Sequence, residues 1–191
     1  MTVFDQSQWW VHLSKQMLSK LSKSYNFRSV AKEFSRKLKK QKAANIQTLA
    51  KNVYGEYAEI LMRAVMEFGD KYPDKASKMM AMVIEKTGNV FPHLPQRYLE
   101  ISFLAIRSKD RWDLLENSLK KLTYTVTQCD QYKALEKLCG KETAAKLPCK
   151  WFCLNASKTM YKDINLPVTV KMTTSIPKDG SCTFTANLRK K

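Results

Sequence analysis

Histidine is nearly absent from this chain: His12 and His93 are the only two among 191 residues. That excludes a histidine-rich metal site and leaves His12 and His93 as the sole partners for a Cys–His nucleophile. Of the two, His93 is the better catalytic candidate, because it sits in a loop between prolines. Glycine is also scarce, at 5 residues. The chain has no Gly-rich phosphate loop, no G-x-S-x-G elbow and no H-E-x-x-H helix. No window approaches the roughly 18 apolar residues that a membrane helix needs, so no membrane span is expected. The apolar run at Trp9 and Trp10 is short and broken by His12 and Lys15, so no signal peptide is expected either. Five cysteines make an odd number. Without a secretory segment they read as reduced thiols, and the expected location is cytoplasmic.

Acidic residues are the other shortage. Against 34 Lys and Arg there are 17 Asp and Glu, for a net charge of +17. Residues 1–50 hold ten basic and two acidic side chains, a surplus of eight, whereas residues 51–100 balance at seven and seven. Such a surplus points to anionic partners rather than to a fold. Lysine predominates over arginine, which disfavours forked recognition of bases or phosphates. At this length the chain buries roughly 70% of its unfolded surface and needs neither metal nor disulfide to fold.

Apolar residues spaced by three and four predict helices over the first two-thirds. Residues 7–24 carry Trp10, Leu13, Met17 and Leu21 on one stripe. From Phe27 to Gln41, Val30, Ala31, Phe34 and Leu38 form an inner face. Arg28, Lys32, Arg36, Lys39 and Lys40 form an outer one, the most basic surface in the chain and a candidate face for an anion or nucleic acid. Ala44–Phe68 is the longest helix. Asp74 caps the next, over residues 75–87. After the loop around His93, RYLEISFLAIR reads as a buried helix, and Asp110 caps a further one with Trp112, Leu115, Leu119 and Leu122 inward.

After Leu122 the period changes to two. TYTVTQC, PVTVKMTT and SCTFTANL alternate apolar residues with threonine and predict three strands. Pro177-Lys178-Asp179-Gly180 predicts a turn that makes the last two an antiparallel hairpin. Pro148 opens a helix reaching Tyr161, with Cys149, Phe152, Cys153, Ala156 and Met160 facing the sheet. The expected class is α+β: a helical region over residues 1–121, and a small antiparallel sheet with its cysteines over 122–191, together one domain.

Leaving aside Cys139, the thiols follow the spacing Cys129-x19-Cys149-x3-Cys153-x28-Cys182. Cys149 and Cys153 share one helical face, and Cys129 and Cys182 sit at strand ends. Four converging thiolates would make a tetrahedral zinc site. The same residues also fit ordinary core packing, since free cysteine is among the most buried residue types.

The strand ending VTQC at Cys129, the helix start PCKW at Cys149 and the hairpin VTVKMTTSIPKDGSCTF with Cys182 resemble the C-terminal half of the L-2-amino-thiazoline-4-carboxylic acid hydrolase-like family. They are more distantly similar to small-molecule-binding domains of the 4-vinyl-reductase type. The resemblance runs from Val126 to Phe184, and the chain departs from it at TFTANL after Cys182. It implies helices over an antiparallel sheet and a small-molecule pocket edged by Cys129, Cys149 and Cys182. It also implies a hydrolase acting on a small anionic C–N or C–S compound. The alternative expectation is a non-catalytic sensor or binding module whose basic helices engage nucleic acid or an acidic protein.

Overall fold

The computed structural model describes residues 15–40, 46–146 and 150–189. Trp10, Leu13 and Cys149 lie outside the described residues. Two amphipathic helices, α1 (Lys15–Ser24) and α2 (Phe27–Lys40), come first. On them Leu21, Val30, Ala31 and Phe34 are buried, as their stripes predict. A long helical stretch follows as α3 (Ile46–Ala50), a π-helical turn (Lys51–Gly55) and α4 (Glu56–Lys71).

Asp74 caps α5 (Lys75–Thr87) in a reciprocal box with Ser77, and Gly88 ends it at φ +69°. The apolar segment after His93 is helical, as α6 (His93–Ile101) and a π turn (Ser102–Ile106). Gly69 of α4 lets α6 approach: a Cβ there would stand 2.8 Å from Cδ1 of Ile101.

The helix expected after Asp110 is instead a strand, β1 (Arg111–Asn117). Trp112 is buried and Leu114 half-buried, whereas Leu115 and Leu119 are each 53% exposed. The i, i+3, i+7 spacing of Trp112, Leu115 and Leu119 was coincidental. Pairing with β2 (Lys121–Gln128) overrides it, with irregular register at Arg111/Trp112 and Leu114/Glu116. The sheet therefore draws its first strand from before residue 122.

Then come α7 (Asp130–Cys139), α8 (Lys141–Lys146), α9 (Lys150–Asp163), β3 (Val168–Met172), α10 (Ile176–Asp179) and β4 (Cys182–Leu188). The four strands lie in the order β1-β2-β4-β3, every pair antiparallel. The β3–β4 hairpin is as expected, but PKDG closes it as the single helical turn α10, with Gly180 at φ +72°.

The alternation seen in sequence sets the two faces of the sheet. Leu122, Tyr124, Val126, Cys182, Phe184 and Ala186 are buried. On the other face Thr123 opposes Thr185 and Thr125 opposes Thr183. Tyr124 stacks on Phe184 at 5.0 Å and meets Trp112 edge-on at 6.4 Å, and Phe103 stacks on Trp112 at 4.7 Å. One continuous core runs from Leu21 and Phe34 through Leu61 and Met160 to Phe184. Among the described residues, no helix is long and apolar enough to cross a membrane.

Candidate functional site

The cysteines converge in part. Cys129 at the end of β2, Cys153 on α9 and Cys182 at the start of β4 line one enclosed cavity of about 20 Å³, with Val126, Leu135, Phe152 and Ile176 around them. That volume is about the space of a single water. Cys139 sits half-buried at the end of α7, and His93 at the start of α6; neither lines this cavity. The described cysteines are free thiols.

The residue that gives the cavity its chemistry is Arg107, which ends the π turn after α6. Its side chain is only 7% exposed. Nε and Nη2 each lie 2.7 Å from Oδ2 of Asp110, and Asp110 Oδ1 accepts the Asp130 backbone N–H at 2.7 Å. Asp110 is thus the countercharge of a buried cation, not the helix cap its sequence context suggested. Nη1 of Arg107 donates to Cys153 Sγ at 3.4 Å, and Nη2 lies 4.0 Å from Cys129 Sγ. The guanidinium also lies 4.4 Å from the centre of the Phe103 ring.

Burial works against the charge on Arg107, but the Asp110 carboxylate at 2.7 Å outweighs it and holds the guanidinium protonated. Burial pushes the Cys129 thiol up to about 12, with Arg107 pulling the other way. It also raises Cys153, again against Arg107, and Cys182, where the Ile176 N–H opposes it. At neutral pH the three are therefore neutral thiols, and Asp110 is the fixed countercharge. Two of the sulfurs serve as local acceptors: Cys129 caps α7 by taking the Tyr132 N–H at 3.4 Å, and Cys182 takes the Ile176 N–H at 3.3 Å.

Among the described residues, no group of three or more His, Cys, Asp and Glu side chains is placed to hold a metal ion. A guanidinium beside Cys153 and Cys129 would also repel a dication. Zinc on Cys129, Cys153 and Cys182 therefore does not fit the described donors, and Cys149, the fourth expected ligand, lies outside them.

Outside the cavity, across α10, lies an open basin of about 430 Å³. Lys146 at the end of α8, Lys150 at the start of α9 and Lys178 on α10 line it, with Thr173, Thr174 and Ser175. Among the described residues Asp179 is the one acid on its wall, and its Oδ2 already accepts the Ser175 N–H at 2.8 Å. Trp151 lies below Lys51 and Lys150, its ring centre 5.8 and 5.1 Å from their ammonium groups. Gln47 bridges the two sides, donating to the Lys146 carbonyl at 3.2 Å and accepting from Trp151 Nε1 at 3.4 Å.

The basic α2 face is exposed at Arg28, Lys32, Arg36, Lys39 and Lys40. Arg28 leans to Asp130 at 3.5 Å. Phe34 is fully buried and cannot stack on a base.

Sequence reasoning missed Arg107 and the basin lysines. The signal for Arg107 was an arginine closing an apolar helix with an aspartate three residues on, a spacing that suits a buried pair. The basin joins residues about thirty apart in sequence and left no local signature. Comparison with protein-family models, with curated proteins and with solved structures finds no match for this chain.

Proposed function

We propose that the protein binds a small amphiphilic anion, its apolar part against the Arg107 cavity and its charged group in the lysine basin, without transforming it. The observation that carries this reading is the thinness of the wall between the two spaces. Ile176 of α10 lines the cavity, while Pro177, Lys178 and Asp179 of the same single turn line the basin. The bond from the Ile176 N–H to Cys182 Sγ holds that turn shut, and sulfur is a weak acceptor. The closed cavity has space for about one water, so an apolar group is admitted only as α10 swings outward.

This reading takes over Cys129 and Cys182 from the pocket the family resemblance implies, with Cys153 lining the cavity beside them, and omits the hydrolytic step. A thiol with a pKa near 12 is ionised to only about one part in 10⁵ at pH 7, and among the described residues no histidine lines the cavity to activate it. The test is a calorimetric titration of the full chain with three probes of one shape: naphthoate, naphthalenemethanol and naphthylmethylamine. Affinity should fall in that order, and Lys146→Ala with Lys178→Ala should weaken naphthoate while sparing the alcohol. Equal affinity for all three, or none for naphthoate, refutes the proposal.

The exposed α2 face supports a second reading, electrostatic engagement of nucleic acid. It calls for binding that weakens steeply with salt and with Lys32→Glu, Lys39→Glu and Lys40→Glu together. Binding indifferent to salt would end it.

A further inference from the structure

Helix α5 is anomalous: it spans 13 residues and buries none of them. Helices of this length are marginal in water without a packed face. Its N-terminus is secured by the Asp74–Ser77 box and its C-terminus by the Gly88 N–H to the Ile84 carbonyl at 2.8 Å. The caps hold its ends, but its apolar side is left open. Met79 is 59% exposed, Met82 55% and Val83 40%, and these three form one stripe at helical spacing. About a third of a turn round, Met80 and Ile84 border a groove of about 290 Å³, closed on its far side by Pro73, Leu94 and Tyr98. Methionine adapts its shape to whatever packs on it, and that suits a surface meant to be covered.

Arg97 of α6 also lines that groove. Its side chain is 5% exposed, and Nη1 lies 3.0 Å from Asp74 Oδ2. Nη2 is buried with no hydrogen-bond partner among the described residues. A buried guanidinium N–H in that condition lacks an acceptor oxygen. Around the stripe and groove, Lys71, Lys75, Lys78 and Lys86 are exposed, against the exposed acids Glu85 and Asp70, the latter accepting the Tyr98 hydroxyl at 2.8 Å.

We propose that α5 and this groove form a docking surface for an acidic partner protein that presents an amphipathic helix. The partner's apolar face covers Met79, Met82 and Val83, and its carboxylates meet the lysine rim. The charge argues against a second copy of this chain, since each copy carries +17 and would bring a lysine rim against its like.

The test uses the full chain and a fluorescent synthetic helix of about 18 residues, leucines on one face and glutamates elsewhere, beside a control with lysine for every glutamate. The acidic helix should bind and protect the α5 amides from hydrogen exchange, and the lysine version should not. Met79→Glu and Val83→Glu change exposed positions, so the fold survives, as circular dichroism will check. Each should weaken binding by about tenfold or more. Four results would each overturn the proposal. The first two are equal binding of both peptides and no binding of the acidic one. The third is self-association in sedimentation that Met79→Glu abolishes, which would make a second copy the occupant. The fourth is binding to phosphatidylserine vesicles that the acidic helix does not displace, which would make the surface a membrane one.

Discussion

Replacing Arg107 with methionine is the sharpest test of what holds the centre of this molecule together. Methionine keeps much of the length and the apolar stem but deletes the charge. In the native chain Asp110 is a carboxylate 4% exposed, neutralised by Nε and Nη2 of Arg107 at 2.7 Å. Without the guanidinium, Asp110 keeps the Asp130 N–H at 2.7 Å but has lost its countercharge. Leaving one member of a buried pair uncompensated costs about 3–5 kcal/mol. The single variant should therefore lose a large share, about 3–5 of some 5–15 kcal/mol, of a domain's stability, read as the midpoint shift in urea unfolding. Arg107→Met with Asp110→Asn should recover much of that loss, because no buried charge remains. If the single variant loses less than about 1 kcal/mol, or the double variant is no better, the pair is solvated and the buried-cation description is wrong.

Other expectations follow from the same geometry. Cys129 titrates near 12 in the fold against an ordinary 9.0, so between those values the folded chain keeps a proton that the unfolded chain has lost. Its contribution is fully present below about pH 9 and fades as pH rises, by as much as about 4 kcal/mol at pH 12. Urea midpoints should begin to fall at about pH 9, before the buried tyrosines add to the slope above pH 10, and Cys129→Ala should flatten that initial fall; an unchanged slope contradicts it. Gly69→Ala should destabilise by on the order of 1 kcal/mol despite alanine's better helix propensity, because its Cβ would meet Ile101 at 2.8 Å and the Tyr98 ring at 3.2 Å. A raised thermal midpoint would show that α6 yields there. Phe184→Ala, at a side chain with no exposure, should cost about 3–5 kcal/mol in the same unfolding assay.

The fold was legible wherever one physical signal dominated. Threonine alternating with apolar residues marked β2, β3 and β4, and the Asp74 cap marked α5. Where two signals competed, the sequence misled. Trp112, Leu115 and Leu119 repeat at helical spacing, yet the neighbouring β2 supplies a ladder that helical periodicity cannot reveal, and β1 forms instead. The cysteines were legible as a group facing the sheet, and Cys129, Cys153 and Cys182 do line one cavity. What no spacing showed was that their neighbour is a cation, Arg107, brought in from a helix more than twenty residues upstream of Cys129. That one side chain, with Asp110, places a buried ion pair beside the thiols where a zinc site was expected. The basin lysines come from α8, α9 and α10, elements whose adjacency exists only in the folded chain.

The central claim is that a small anion reaches the cavity behind α10. Amide and methyl NMR shifts followed during a titration with naphthoate test it most directly. The account predicts changes at Ile176, Cys182, Val126 and Phe152, with faster hydrogen exchange at the Ile176 amide as its bond to Cys182 Sγ opens. Shifts confined to the exposed lysines, with the Ile176 amide still protected, would contradict it.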